Sequence, residues 1–206
     1  MGGGLLTVLA DDGGLTESVA KRIPIIVRKL AFSLYPEGGQ MVEGVAGRVY
    51  FEAKTPLGKP ADVSGRIVDD HGAAVARFES VRDGLGRFEF TPSTGRSYHA
   101  EIERPVGVSE HYALPLPVRD GCVLRSYDDL DGELTALRVA VACSEPRKVT
   151  VSAMVRENLL DAASVQVGRG PAVVYLDAKA KAGEEASLAR AQGIARVTVF
   201  DDKLNP

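Results

Sequence analysis

The sequence predicts an all-β chain made of tandem antiparallel β-sandwiches of the immunoglobulin or fibronectin type. Apolar and polar residues alternate with a period of two along most of the 206 residues, as expected for strands that bury one face. Turn-forming residues interrupt these runs about every 8–12 residues, which is the spacing of an all-β sandwich. The length accommodates one large domain or two small ones, and the strand-and-turn pattern runs through twice.

The alternation is clearest in four segments. In residues 45–53, Val49 and Phe51 are expected on one face of a strand, with Arg48 and Tyr50 on the other. The other three segments are 87–91, 149–153 and 196–200. Glycine, proline and aspartate, which suit the backbone angles of tight turns, mark the connections at 36–39, 58–60, 70–72, 83–84, 94–95, 131–132 and 168–170.

One segment, residues 178–192, departs from the alternation. It is rich in alanine, lysine and glutamate, which are good helix formers, and Gly193 follows it. We therefore expect a short helix on a loop between two strands. Its apolar residues are nearly all alanine, so this helix would bury little surface.

The pattern divides the chain into three parts. Residues 1–28 carry two strands, at 5–9 and 23–27, that have no partners of their own. Because two strands alone are marginally stable in water, we interpret them as the C-terminal strands of a preceding domain. Residues 29–118 are predicted to form one sandwich, and residues 119–206 a second one whose last strand is missing.

Composition excludes two classes of partner. The formal net charge is −3 with both signs scattered along the chain, so no basic stripe is available to neutralise a nucleic-acid backbone. No apolar run approaches the roughly 20 residues that span a bilayer, which excludes direct membrane insertion. The first residues lack the basic start, long apolar core and cleavage site of a signal peptide.

The sequence offers weak candidates for a metal site. His71 lies in a turn, whereas His99 and His111 fall on predicted strands without a second imidazole two or four positions away. The acidic run at 127–133 invites a calcium interpretation, but its glycine and closing glutamate do not match an EF-hand, and a solvated loop explains it better. We therefore predict no metal-binding residues.

Catalytic and cofactor-binding residues are also predicted to be absent. The serines lack the Gly-x-Ser-x-Gly turn of a hydrolase. The glycine-rich segments 36–39 and 84–86 do not precede a helix, so they are interpreted as hairpin and corner geometry and not as phosphate-binding loops. The sequence thus predicts no enzyme activity and no cofactor.

Two cysteines, Cys122 and Cys143, lie 21 residues apart on predicted neighbouring strands. Two cysteines without a nearby histidine are too few for a structural metal framework. A disulfide is one interpretation if the compartment is oxidising. The interpretation we favour from the sequence is that both are small buried hydrophobic residues.

Several of these strand and turn segments resemble a known family. Residues 32–39, Phe-Ser-Leu-Tyr-Pro-Glu-Gly-Gly, resemble the opening of macroglobulin-type domains in bacterial alpha-2-macroglobulin-like proteins. Residues 83–92 are similar to a Gly-x-Gly-x-Phe hairpin of the same domains, and residues 195–202 look like the closing strand pair of a further domain. The resemblance covers 23–118 well and 119–206 more loosely.

The resemblance implies a rigid, non-catalytic β-sandwich module, extracytoplasmic in a periplasmic, cell-surface or secreted protein. Its implied partners are neighbouring macroglobulin domains and the proteases that such assemblies trap or inhibit. The family's thioester motif is absent, since neither Cys122 nor Cys143 has a glutamine in the required relation, and no bait region is recognisable.

Two alternative functions stay open at this point. The chain is also compatible with a stand-alone β-sandwich that binds a carbohydrate or a protein, and with an accessory domain of an exported enzyme. Sandwich folds host many binding functions on their end loops, so the fold alone does not choose between these alternatives.

Overall fold

The computed structural model describes residues 4–23, 28–127, 136–177 and 193–206. Within these residues every regular element is a β-strand, and the strand pairs within the sheets are antiparallel. The all-β prediction is therefore confirmed. The strands are β1 Gly4–Asp12, β2 Leu15–Ile23, β3 Ala31–Pro36, β4 Gly47–Lys54, β5 Ser64–Asp69, β6 Ala74–Arg82, β7 Leu85–Phe90, β8 Tyr98–Arg104, β9 His111–Ala113, β10 Cys122–Ser126, β11 Ala136–Cys143, β12 Arg147–Val155, β13 Asn158–Val167, β14 Ala172–Asp177 and β15 Ala195–Phe200.

The first two strands form a hairpin. Gly13 and Gly14, with φ of 58° and 130°, connect them directly after β1. The second strand begins at Leu15 and ends at Ile23, because the glycine pair turns the chain back at once. Residues 24–27, which make up most of the strand predicted at 23–27, lie outside the described residues. The side chains of Leu5, Leu6, Val8, Leu9 and Val19 in this hairpin are exposed.

A seven-stranded sheet follows, with the order β3-β4-β7-β6-β5-β8-β9. Strand β6 pairs with β5 and with β7, and thus joins the two halves of the sheet. The outermost strands meet across the core, because the rings of Phe32 on β3 and Tyr112 on β9 lie 5.2 Å apart. The Tyr112 hydroxyl also accepts from the amide of Leu30 and donates to its carbonyl, both at 3.1 Å. The sheet is therefore folded over on itself as a sandwich.

Aromatic rings fill the centre of this first sandwich. Phe51 lies between Phe32 and Phe78, with ring centroids 5.3 Å and 5.2 Å away. The predicted faces of β4 are confirmed for its core side, where Val49 and Phe51 are buried. A Cβ at Gly86 would lie 2.3 Å from the Phe51 ring, so only glycine lets that ring rest against β7.

The turn between β6 and β7 has two residues, Asp83 and Gly84, with φ of 52° and 75°. Positive φ at both positions is typical of the type I′ turn that suits the twist of a two-residue hairpin. The interpretation of the glycine-rich segment 84–86 as hairpin geometry is confirmed.

The second half of the chain contains two three-stranded sheets, with the orders β10-β11-β14 and β13-β12-β15. Val149, Val151 and Ala153 of β12 are buried, as the alternation in 149–153 predicts. They pack against inward-facing residues of the opposite sheet in one apolar cluster. Its buried members are Val139, Val141, Cys143, Val149, Val151, Ala153, Val167, Val174 and Leu176.

Cys122 and Cys143 form a disulfide, so the favoured prediction of two unbonded buried cysteines is wrong. The reason is the register of β10 and β11, in which the two residues are direct cross-strand partners with Cα atoms 4.0 Å apart. A sequence identifies neighbouring strands more readily than it fixes which residues face each other across them.

Two sequence predictions fall largely on residues that the structure does not describe. They are the helix at 178–192 and the acidic loop, of which 128–133 is not described. The boundaries at 28/29 and 118/119 stay predictions. In the described part of the chain, no helix is long and apolar enough to cross a membrane.

Candidate functional site: the junction between the two sandwiches

Strand β10 belongs to the second sandwich and also contacts the first. Cys122 and Leu124 on one face pack against the second core. Val123 on the opposite face joins a separate apolar cluster with Val42 and Val45 of the first sandwich. Ala142 of β11 completes this cluster, and all four residues are buried. We call these four residues the junction core.

Backbone hydrogen bonds tie the connecting segment to the first sandwich. The amide of Val118 donates to the carbonyl of Met41, and the amide of Glu43 donates to the carbonyl of Val118, each at 2.9 Å. Gly38 lies so close to the second sandwich that a Cβ there would be 3.1 Å from the Cβ of Leu124. The connecting segment is thus bonded to the first sandwich at Val118, and the loop at Gly38 contacts the second sandwich directly.

Arg48 is the central charged residue of the junction. It lies on the face of β4 opposite the aromatic core, where the sequence predicts solvent, yet it is 5% exposed. Its Nε lies 3.2 Å from Oε1 of Glu89 and 3.5 Å from Oε2 of Glu37. Its Nη1 donates to the Tyr50 hydroxyl at 3.1 Å and reaches the carbonyl oxygen of Ser126 at 3.5 Å.

The two glutamates that surround Arg48 also hold residues of the second sandwich. Glu37 accepts hydrogen bonds from the amide and the hydroxyl of Ser126, both at 2.7 Å. Glu89 accepts from Arg125 at 3.1 Å and 2.9 Å. Burial by itself would lower the pKa of Arg48, but Tyr50, Glu37 and Glu89 stabilise its charged form and raise that pKa. The ion network therefore spans both sandwiches.

We expect Arg48→Met to lower the free energy of unfolding by about 2 kcal/mol, because it leaves the half-buried Glu37 without its cation. Arg77→Met is the matched control, since Arg77 forms an exposed ion pair with Glu103 on the sheet surface and should cost less than about 0.5 kcal/mol. Urea unfolding followed by circular dichroism measures both changes. Equal effects of the two substitutions would contradict a structural role for the junction network.

A second polar cluster lies where the chain enters the second sandwich. Asp120 pairs with Arg147 and accepts from the hydroxyl of Ser144 at 2.7 Å. The Ser144 hydroxyl in turn accepts from the amide of Gly121 at 3.2 Å. The guanidinium of Arg147 and then the Ser144 hydroxyl lower the pKa of Asp120 below its ordinary value of 3.8. The cluster thus links the start of β10, the end of β11 and the start of β12.

The lowered pKa of Asp120 predicts a loss of stability in acid. The folded state binds a proton less readily than the unfolded chain, so this contribution is fully present above about pH 4 and is lost as the pH falls further. Asp120→Asn should therefore be less stable than the wild type at pH 7, and the difference should narrow at about pH 2.5. Urea midpoints at the two pH values measure this, and a difference that does not change with pH would contradict it.

A groove of about 410 Å³ opens beside this cluster. Its walls come from the β3–β4 loop, β10, β12 and the C-terminal strand and turn. Among the lining residues, Arg147, Asp201 and Asn205 are polar, whereas Leu124 and Val199 are apolar. The volume lies in the range of small-ligand sites, which is about 300–1,000 Å³.

The three histidines lie in the first sandwich, away from the junction. His71 occupies the β5–β6 turn, as predicted, and its amide donates to Oδ1 of Asp69 at 3.0 Å. His99 on β8 and His111 on β9 were predicted to lie on strands, and they do. Strand pairing brings them beside each other and beside Glu101, although their spacing in sequence does not indicate it.

Sequence reasoning did not identify the junction residues. Arg48 shows the ordinary signature of a solvent-facing strand residue, and one of its contacts, the carbonyl oxygen of Ser126, comes from 78 positions later in the sequence. Val42 lies before the alternating segment at 45–53 and Val45 begins it, so the period-two pattern did not mark either residue as part of a contact between sandwiches.

Comparisons with known proteins do not assign the chain to a family. No protein-family model matches the chain, and no curated protein matches it. Similar solved structures include the BSP domain of a biofilm-associated protein (15% identity, 84% of this chain, 30% of that chain, TM-score 0.36). They also include the Escherichia coli adhesin FdeC (12%, 97%, 74%, TM-score 0.30) and trypsin-activated alpha-2-macroglobulin from Escherichia coli (9%, 95%, 17%, TM-score 0.30). The chain thus spans under a third of the first structure and under a fifth of the third. These values are too low to support an inference about function.

Proposed function

We propose that this chain is a non-catalytic structural and interaction module of an exported multidomain protein, in which two tandem β-sandwiches act as one rigid unit. The buried junction is the observation that supports this most strongly. Val42 and Val45 from one sandwich and Val123 and Ala142 from the other form one buried cluster, and the Arg48 network also links the two sandwiches. A flexible linker between independent binding domains would not need such a contact.

The disulfide between Cys122 and Cys143 supports export. Disulfides persist in oxidising compartments and are rare in the cytosol. We therefore propose a periplasmic, cell-surface or secreted location, without nucleic acid as a partner.

A finer proposal is that the module belongs to an alpha-2-macroglobulin-like protein that takes part in trapping or inhibiting proteases. Its support is the sequence resemblance. Residues 32–39 include most of β3 and the turn after it, and residues 83–92 contain the β6–β7 turn and β7, so both motifs fall on elements that build the first sandwich. In this proposal 29–118 and 119–206 are successive macroglobulin-type domains.

The β1–β2 hairpin fits the same proposal as a contact to a neighbouring domain. Leu6, Val8 and Val19 lie on one face of the hairpin and are exposed. A two-stranded hairpin with such a face is marginally stable by itself. Residues 1–28 are therefore proposed to complete a preceding domain of the same protein.

The complete gene product around this chain tests the proposal. We expect an export signal, further β-sandwich domains and, for the finer proposal, a thioester cysteine and glutamine in a distant domain. A product that consists of this chain alone and stays in the cytoplasm would contradict the proposal. Further sandwiches without a thioester or a bait region would leave the rigid module and overturn the macroglobulin assignment.

A second candidate is a stand-alone binding module for a carbohydrate or a protein. The groove beside Arg147 supports it, because polar and apolar groups line a volume suited to a small ligand. A glycan array probed with the full chain tests this candidate. Specific micromolar binding that Arg147→Ala abolishes and that Arg77→Ala leaves unchanged would favour it, and an empty array would count against the carbohydrate form.

A further inference from the structure

Three side chains with metal-binding atoms converge on the outer surface of the first sandwich. His99 and Glu101 are two residues apart on β8, so they share one face of the sheet. His111 on β9 is the direct cross-strand partner of Glu101. We propose that His99, Glu101 and His111 bind a divalent transition-metal ion of the zinc type. The inference is independent of the proposed function.

The separations between the ligand atoms suit such an ion. Nε2 of His99 lies 3.2 Å from Oε1 of Glu101, and Nε2 of His111 lies 3.8 Å from the same oxygen. One ligand atom from each residue lies within 4.8 Å of the other two. Tetrahedral zinc with bonds of about 2.1 Å places its ligands about 3.4 Å apart. All three atoms can therefore reach one ion once the imidazole rings have rotated toward it.

The carboxylate is already oriented toward the two imidazoles. Arg66 on β5 holds Oε2 of Glu101, with both its Nε and its Nη2 at 2.8 Å, which leaves Oε1 facing the histidines. A hydrogen-bonded partner on the non-ligating oxygen is the usual support for a metal-binding carboxylate.

The neighbouring charges moderate the positive charge of Arg66. Glu103 on β8 lies 3.9 Å from Nε of Arg66, and it also pairs with Arg77 on β6 at 3.3 Å. Two carboxylates and two guanidinium groups thus balance on this part of the sheet. A cation at this position would therefore be bound by the two imidazole nitrogens and by Oε1 of Glu101.

The types of the ligand atoms indicate which metal ion would bind. The imidazole rings of His99 and His111 stack with centroids 4.7 Å apart and an interplanar angle of 12°, so they must rotate out of this stack before both nitrogens can point at one ion. Each imidazole can offer the lone pair of one ring nitrogen to a metal ion. Two nitrogens and one oxygen match zinc, copper or nickel, whereas magnesium and calcium prefer oxygen ligands alone. His111 is exposed, which leaves a path for the ion and an open fourth position.

Zinc titration of the full chain, purified without a polyhistidine tag, tests the site. We expect isothermal titration calorimetry to give one zinc per chain, with no binding of magnesium under the same conditions. His111→Gln and Glu101→Gln should each weaken zinc binding by more than about tenfold. His71→Gln is the matched control, because His71 lies in the β5–β6 turn outside the cluster, and it should bind zinc as the wild type does.

Imidazole NMR separates a specific site from scattered binding, because the chain has three histidines. Zinc should shift the ring resonances of His99 and His111 and leave those of His71 in place. His111 lies at an exposed sheet edge, so its substitution should not disturb folding, and the circular dichroism of the variant checks this. The proposal is overturned if the wild type binds no zinc, if all three histidines shift equally, or if folded His111→Gln binds zinc as tightly as the wild type.

Discussion

Replacing Phe51 with alanine should lower the free energy of unfolding by about 4 kcal/mol, within the range observed for buried phenylalanines. The ring is 2% exposed and contacts Phe32, Phe78 and Phe88 with centroid distances of 5.3, 5.2 and 6.5 Å. Gly86 also packs against the Phe51 ring, and glycine has no side chain that could fill the space left by the substitution. The cavity would therefore lie at the centre of the first sandwich, where both halves of the sheet meet.

Urea unfolding followed by far-ultraviolet circular dichroism measures this loss, since the chain has no tryptophan for fluorescence. Leu57→Ala is the matched control. It removes an aliphatic side chain that is 87% exposed in the β4–β5 loop, and we expect a change within about 0.5 kcal/mol. A Phe51→Ala variant whose free energy of unfolding falls by less than about 1 kcal/mol would show that the aromatic cluster is not the packing centre of the first sandwich.

Removal of the disulfide should have the second-largest effect. Cys122 and Cys143 are 21 positions apart in the sequence, and in the chain-entropy account a cross-link over such a distance stabilises the folded state by roughly 3 kcal/mol. The double variant Cys122→Ala/Cys143→Ala should lose this amount. The loss should fall on the second sandwich, because the bond joins β10 to β11 beside the second core.

A reducing agent provides the control for the disulfide prediction. It should lower the unfolding midpoint of the wild type toward that of the double variant and leave the double variant unchanged. Free-thiol titration of the untreated unfolded protein should find no thiol. Two titratable thiols in protein isolated from an oxidising compartment would contradict the bond and would remove the support that it gives to export.

The sequence was sufficient for the features that depend on local pattern. Period-two alternation placed Val49, Phe51, Val149 and Val151 on buried faces, and the Asp-Gly pair at 83–84 marked a hairpin turn, because strand pleat and turn angles depend on neighbouring residues. Fold class follows from such signals and needs no long-range information.

The features that the sequence did not predict depend on register and on packing between sandwiches. Cys122 meets Cys143, and His111 meets Glu101, because two strands pair at one particular offset, and a shift of one residue would separate each pair. Arg48 is buried by residues of the other sandwich, which its own strand pattern cannot report. The disulfide, the histidine cluster and the junction network therefore became visible in the structure.

Residual dipolar couplings test whether the two sandwiches form one rigid unit. Backbone couplings from residues 30–118 and from residues 122–177 should fit one common alignment tensor in the wild type. Val123→Asp, which introduces a charge into the junction core, should make the two sets require different tensors while each sandwich stays folded. Two different alignment tensors in the wild type itself would show that the two sandwiches do not form one rigid unit.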